Sequence, residues 1–275
     1  TRVNAQGLVE NVQILSSNLV QNPSFSEEGS EEVSNGSFSQ EGVQLITNGD
    51  FSSDTAWGKE VGWTISNGSL VANSVTTGLA FQSNIVEANK SYKATYDVVV
   101  TSGSIGLYFD GATGYQGIVT TTQTITVFFK ATTASPLYFR SNTSNFTGSI
   151  DNVSCVEVGQ DWVLGGSGLN AATIASNSAT ITSVDGNSYL QQNSVFTSGK
   201  SYKISYEILS SSGSSVLKMI SSLGLATVPT TVGTHTVYGT ATTTTFYIER
   251  TSNGMNATIT NISVKEVGQN WAAKD

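Results

Sequence analysis

Lys90-Ser91-Tyr92-Lys93-Ala94-Thr95-Tyr96-Asp97-Val98-Val99-Val100 sets Tyr, Ala, Tyr and Val on alternate positions. Lys200-Ser201-Tyr202-Lys203-Ile204-Ser205-Tyr206-Glu207-Ile208-Leu209 repeats the arrangement 110 residues later. Such period-two alternation marks a strand buried on one face. Ile125-Thr126-Val127-Phe128-Phe129, Thr245-Phe246-Tyr247-Ile248 and Ile150-Asp151-Asn152-Val153-Ser154-Cys155 read the same way. Clusters of Gly, Asn and Ser at Ser102-Gly103-Ser104, Ser211-Ser212-Gly213 and Ser252-Asn253-Gly254 part the strands at hairpin spacing. Helical periodicity is absent beyond single turns. The pattern predicts antiparallel β-sandwiches, in two copies.

A second anchor supports the duplication. Glu157-Val158-Gly159-Gln160 recurs as Glu266-Val267-Gly268-Gln269 at an offset of 109, each followed by an acidic or amide residue and a Trp (Trp162, Trp271). Ahead of it, Ile150, Asn152 and Ser154 match Ile259, Asn261 and Ser263. The modules are therefore placed at residues 44–160 and 161–269, with residues 270–275 opening a third copy or forming a tail. Upstream runs a shorter period. Asn22-Pro23-Ser24-Phe25-Ser26, Asn35-Gly36-Ser37-Phe38-Ser39 and Asn48-Gly49-Asp50-Phe51-Ser52 are spaced by 13 residues. Residues 1–43 are expected to form an ordered stack of short strands and turns that packs on the first module or on another chain. A flexible acidic linker is the plainer alternative.

Composition narrows the function classes. The 275 residues include 40 Ser and 35 Thr, with only 12% charged, a profile of extracellular-type all-β protein. The net charge of −8 and pI near 4.6 would repel a nucleic-acid backbone. Glu10, Glu27, Glu28, Glu31, Glu32 and Glu41 face only Arg2 in the first 45 residues, so the modules themselves are nearly neutral. No apolar run approaches the roughly 18 residues of a membrane helix, so no membrane insertion is expected. The chain opens on Thr1 without initiator Met or signal peptide, as a processed or internal piece would.

Catalytic material is scarce. The single Cys excludes an internal disulfide framework and a cysteine-built zinc site, and the single His excludes a His cluster. His235 aligns with Ile125 beside Val237 and reads as a packed or edge histidine. Cys155 aligns with Val264 on a face shared with Val153 and reads as a small buried hydrophobe. Asp97 and Glu207 align on the central strand without a second carboxylate that a glycosidase would need. A non-enzymatic chain is expected.

Glycan binding has better material, because aromatic faces stack on sugar C–H patches while amides and carboxylates bond hydroxyls. Trp57, Trp63, Tyr108, Asp110, Tyr115 and Gln116 fall where the first module's loops and strand ends are expected. In Gly106-Leu107-Tyr108-Phe109-Asp110-Gly111 one of Tyr108 and Phe109 must face outward. The corresponding loop of the second module, Leu223-Gly224-Leu225-Ala226, has no aromatic. Trp57 and Trp162 both follow a module joint, which equally suits plugs of a sandwich end or of the inter-module seam.

Leu45-Ile46-Thr47-Asn48-Gly49-Asp50-Phe51, then Gly62-Trp63, the Lys-Ser-Tyr-Lys strand and the closing Ile150-Asp151-Asn152-Val153-Ser154 resemble jelly-roll carbohydrate-binding modules. The joint Val264 to Trp271 resembles repeats of bacteriophage tail and fibre proteins, and the opening Thr1-Arg2-Val3-Asn4-Ala5-Gln6-Gly7-Leu8-Val9-Glu10 resembles a segment found in such proteins ahead of lectin-like domains. The resemblance covers nearly the whole chain and implies an all-β fold: two tandem antiparallel jelly-roll β-sandwiches behind a short-repeat acidic N-terminal segment. It also implies a structural calcium in the first module, held by Asp50 and Asp151; the competing reading has Asp50 capping a turn and Asp151 facing solvent. The second module lacks an Asn-Gly-Asp-Phe opening and carries Thr260 in place of Asp151, against calcium there.

The resulting expectation is a structural subunit of a phage particle, at the virion surface or otherwise extracellular. Residues 1–43 would dock on other virion subunits or sister chains in a homo-oligomer, and the modules would contact host-surface glycans. The alternatives are a carbohydrate-binding module pair from a secreted bacterial enzyme or adhesin, and a self-assembling extracellular filament subunit.

Overall fold

The computed structural model describes residues 2–3, 5–7, 9–10, 24 and 26–269, apart from 110–113, 143–144, 167–170, 214–215 and 251–253. It contains two jelly-roll β-sandwiches whose described strand pairs are all antiparallel. In the first, one sheet runs Gly114–Val119, Ile105–Phe109, Ser135–Ser141, Ala80–Val86, Gly58–Lys59. The facing sheet runs Gln123–Lys130, Ser91–Ser102, Phe146–Val158, Ser69–Val75, Trp63–Ser66, with Glu41–Gln44 added against Phe146–Val158. The second sandwich repeats this plan. Its sheets run Val163–Gly165, Ser188–Gln192, Phe246–Arg250, Leu217–Met219, Leu225–Val228 and, facing them, Ala171–Ala175, Ser178–Ser183, Met255–Val267, Ser201–Gly213, Gly233–Thr240.

The alternation read from the sequence is the packing pattern. Tyr92, Ala94, Tyr96 and Val98 are buried in the first core, and Tyr202, Ile204, Tyr206 and Ile208 in the second. The paired tyrosines keep their hydroxyls bonded inside. Tyr92 Oη accepts from Glu87 N and Tyr202 Oη from Thr197 N, each at 2.8 Å. Tyr96 donates to Gly117 O and Tyr206 to Pro229 O, again at 2.8 Å. Burial pushes both of the latter hydroxyls well above their ordinary range, so they stay protonated donors. Asp97 and Glu207 have a structural role: each accepts from the bulged asparagine of the closing strand, Asn152 Nδ2 and Asn261 Nδ2, at 2.8 Å. Those asparagines sit at φ of 50° and 51°, which favours Asn over β-branched residues.

The N-terminal repeats are where sequence and structure part. Glu28–Glu31 does not form a free-standing stack; it is a strand of the second sandwich, with Glu31 opposite Lys265 and Glu28 opposite Val267. Glu41–Gln44 takes the same place in the first sandwich, with Gln44 opposite Val156 and Glu41 opposite Val158. The turns that follow also match. Gly49 O accepts from Val153 N and Gly36 O from Ile262 N, each at 2.9 Å. Gln82 exchanges two hydrogen bonds with Thr47, and Gln192 two with Ser34. Trp57 Nε1 donates to Asn48 O at 3.1 Å, and Trp162 Nε1 to Asn35 O at 3.0 Å. Phe51 packs on Trp57 and Phe38 on Trp162, both at 5.2 Å between centroids.

The 13-residue repeats are therefore module openings, and the second module has one after all. It is carried ahead of the first module, so the first sandwich is inserted between the second module's opening and its body. The openings run second then first along the chain, while the bodies run first then second. Asn22-Pro23-Ser24-Phe25 stands 13 residues before Asn35, and Asn270-Trp271 stands 109 after Asp161-Trp162. Most of the first copy, and all of the expected third repeat, lie outside the described residues.

This arrangement moves the boundary at residue 43, because Glu41–Gln44 already belongs to the first sandwich and Glu28–Glu31 to the second. Over 26–46 the two short strands pair within the chain, and Val33, Phe38 and Ile46 are buried in the two cores, while Val43 stays exposed. The modules also share a seam. Val156 and Val158 of the first join the second's apolar cluster, and Lys130 Nζ donates to Leu164 O at 2.9 Å.

Gly36 and Gly49 are required by approach distance. A Cβ on Gly36 would lie 1.9 Å from Ile262 O, and one on Gly49 2.0 Å from Val153 O. The acidic patch also has a local function: Glu28 lies 2.5 Å from Lys203 Nζ and 3.2 Å from Lys265 Nζ, as Glu41 lies 2.7 Å from Lys93 Nζ. Hydrogen bonds from Lys203 and then Lys265 hold the Glu28 carboxyl below its ordinary 4.5. A depressed carboxylate stabilises the fold above its unfolded pKa and loses that contribution as pH falls through its folded value. The second module's melting point is thus expected to drop below about pH 4.5, and Glu28→Gln to flatten part of that decline. An unchanged decline in the variant would remove Glu28 as its cause.

Candidate functional site: an aromatic row on the first sandwich

The outer face of the first module's five-stranded sheet carries a row of rings. On Ile105–Phe109, Ile105, Leu107 and Phe109 are buried, so Tyr108 points outward. On Ser135–Ser141, Leu137 and Phe139 are buried, and Tyr138 and Arg140 point outward. Phe81 lies between the buried Ala80 and Gln82. The register then aligns them. Gly58 is opposite Phe81, Phe81 opposite Tyr138, Tyr138 opposite Tyr108, and Tyr108 opposite Tyr115.

Adjacent rings are in contact along this row. Centroids are 5.9 Å apart for Phe81 and Tyr138, 6.4 Å for Tyr138 and Tyr108, and 5.3 Å for Tyr108 and Tyr115. Strands lie about 4.8 Å apart, so the four backbone positions span about 15 Å. Gly58 forms one end of the floor, because a Cβ there would lie 2.4 Å from the Phe81 ring. Tyr115 Oη donates to Ser141 O at 2.6 Å, tying the far ring across the sheet. Burial raises the Tyr115 hydroxyl against the pull of Arg140, which keeps it a protonated donor. The Arg140 guanidinium lies 5.0 Å from the Tyr108 centroid and 5.9 Å from that of Tyr115.

The residues expected from sequence divide accordingly. Tyr108 and Tyr115 are in the row. Trp57 and Trp63 are not, because both are buried in the core and each indole N–H is spent on a backbone carbonyl, Asn48 O and Gly78 O. Trp57 also packs on Phe139, and Trp63 on Phe146. Gln116 is opposite Leu107 and so lies on the other side of its strand from Tyr115. Asp110 lies outside the described residues. Phe81, Tyr138 and Arg140 were missed, although the alternation Leu137-Tyr138-Phe139-Arg140 already places Tyr138 and Arg140 on one face.

The second module lacks a continuous row. Gln191 and Glu249 occupy the places of Phe81 and Arg140, leaving Tyr189 and Tyr247 as a pair at 5.9 Å. Glu249 is buried and accepts from Ser221 N and Oγ. On the first module's other sheet, a shallow groove of about 410 Å³ is lined by Ser69, Asp97, Val99, Thr124 and Asp151. It carries no ring, and Asp97 is engaged by Thr124 Oγ1 as well as Asn152.

The single Cys and the single His lie away from the row. Cys155 is fully buried, as expected, and burial pushes its thiol up to about 12. His235 sits opposite Tyr206 in the register, as expected of an edge position, with Nε2 at 2.6 Å from Thr231 O. Asp50 caps its turn by accepting from Ser52 N and Oγ, and Asp151 accepts from Asn152 N. Calcium takes six to eight oxygens. Among the described residues no group of three or more His, Cys, Asp or Glu side chains gathers. Asp50 and Asp151 alone therefore do not fit the ion, and EDTA is expected to leave the melting point unchanged. A fall in EDTA would show that backbone and hydroxyl oxygens complete a site.

No family model matches the chain, and no curated relative does. Among solved structures it is similar to the N-terminal tandem CBM22 pair of Paenibacillus barcinonensis Xyn10C, at 13% identity and a TM-score of 0.34, covering 83% of this chain and 98% of that one. It is also similar to the tandem CBM51 modules of Sp3GH98, a family 98 glycoside hydrolase of Streptococcus pneumoniae. That match has 9% identity and a TM-score of 0.25, covering 86% and 96%. Likenesses this distant carry no function across.

Proposed function

We propose that this chain is a non-enzymatic pair of carbohydrate-binding modules, with the first module taking an extended glycan along Phe81, Tyr138, Tyr108 and Tyr115. One observation carries the reading: four half-buried rings in register across four strands of an outer sheet face. Soluble proteins seldom leave contiguous apolar surface of this kind without a ligand or partner. A row of rings in contact stacks on more than one sugar unit, whereas a single ring would hold one. The near-neutral, hydroxyl-rich surface suits an extracellular setting. Retardation of the purified chain in gels containing a panel of soluble polysaccharides tests the reading, and mobility unchanged by every member would sink it.

The same face would serve a virion fibre or decoration subunit that attaches to host glycans. The Thr1–Glu10 segment and the Val264–Trp271 joint favour that setting. The strands Glu28–Glu31 and Glu41–Gln44 add nothing to it, because they pair within the chain. Mass spectrometry of purified virions separates this setting from a secreted bacterial enzyme or adhesin.

A further inference from the structure

Resting on that reading, we infer that the first module prefers glycans bearing an oxyanion, either a uronic-acid carboxylate or a sulfate ester, and that Arg140 is the residue that selects it.

The chain is acidic, and its described lysines are largely paired. Lys59, Lys90, Lys93, Lys200, Lys203 and Lys265 each meet a carboxylate. Lys130 and Arg250 donate to backbone carbonyls. Arg140 differs from all of these. Its guanidinium lies over the rings of Tyr108 and Tyr115, and among the described residues it meets no carboxylate or carbonyl. Stacking engages the plane of a guanidinium but leaves its N–H edge unspent. Arg140 lies two residues from Tyr138 on the same strand and face, and its guanidinium sits at the Tyr108–Tyr115 end of the ring row. A chain lying along the rings would bring its substituents past a fixed, preorganised fork that suits planar carboxylates and also accepts sulfate.

The second module supplies the contrast. Glu249 stands where the first module has Arg140, and its carboxylate is already bonded to Ser221. Oxyanion preference should therefore belong to the first module alone.

The test uses the full chain and three probes: polygalacturonate, its fully methyl-esterified uncharged form, and a sulfated polysaccharide with a neutral backbone. Titration calorimetry at low salt is expected to show polygalacturonate bound about tenfold more tightly than its ester, a margin that narrows as salt rises. Arg140→Gln should bring the two affinities together without changing the melting point. Arg140→Lys should recover only part of the difference, because an ammonium lacks the fork. Sulfated probe bound above polygalacturonate would identify the oxyanion as sulfate; the reverse order identifies carboxylate. Equal affinity for acid and ester, with no gain for sulfate, would overturn the inference and leave glycan binding standing. So would a preference that survives in Arg140→Gln. Absence of binding to all three probes would overturn the inference, and glycan binding with it only if every member of the polysaccharide panel also left the mobility unchanged.

Discussion

Phe38→Ala is expected to unfold residues 161–267 while leaving residues 41–158 folded, although Phe38 precedes both in the chain. The ring is buried against Trp162, next to the turn through which Gly36 O takes the amide of Ile262. Truncating a buried Phe costs about 3–5 kcal/mol, much of the stability of an ordinary domain. The equivalent Phe51→Ala should behave differently. It destabilises the first module by a similar amount, and the second suffers with it. An unfolded insert of roughly 120 residues between Phe38 and Trp162 adds a closure cost of about 4 kcal/mol to the second module. The asymmetry is the signature of insertion. Hydrogen exchange resolved by peptide should show protection lost over 161–267 alone in Phe38→Ala, and over both modules in Phe51→Ala. Protection lost only around residues 33–39 in Phe38→Ala would mean that the segment is an ornament and not the module's opening.

Tyr138→Ala is expected to weaken polysaccharide binding by about 2 kcal/mol, roughly thirtyfold, with little change in melting point. Tyr138 occupies the middle of the row, touching both Phe81 and Tyr108, and central anchors carry most of the energy in a binding face. Its ring stands on the outer side of the sheet, so its loss opens no cavity in the core. Tyr247→Ala, the equivalent change in the second module, should leave affinity near that of the unaltered chain, because Gln191 interrupts the row there. If Tyr247→Ala weakened binding and Tyr138→Ala did not, the site would have to move to the second module.

The β-sandwich architecture and the duplication were legible from alternation and offset, since both depend on local pattern. The opening of the second module was hidden by chain order. Asn35-Gly36-Ser37-Phe38 carried the right motif, but it stands ahead of the wrong module, and tertiary contacts such as Glu31 opposite Lys265 and Phe38 on Trp162 assign it. Trp57 and Trp63 attracted attention as the residues best able to stack on sugars, and the same large apolar rings are what a sandwich core takes up once a backbone carbonyl receives the indole N–H. Tyr108 and Tyr115 could be placed outward in principle. That Phe81 and Tyr138 continue their line depends on strand order and register, which no single stretch of sequence contains.

Chemical-shift mapping of the isotope-labelled chain, titrated with an oligosaccharide of whichever polysaccharide is retained, tests the central claim most directly. Perturbed ring resonances are expected for Phe81, Tyr108, Tyr115 and Tyr138, with Tyr189 and Tyr247 unmoved. Shifts confined to the second module, or to the loops at the ends of the sandwiches, would contradict it.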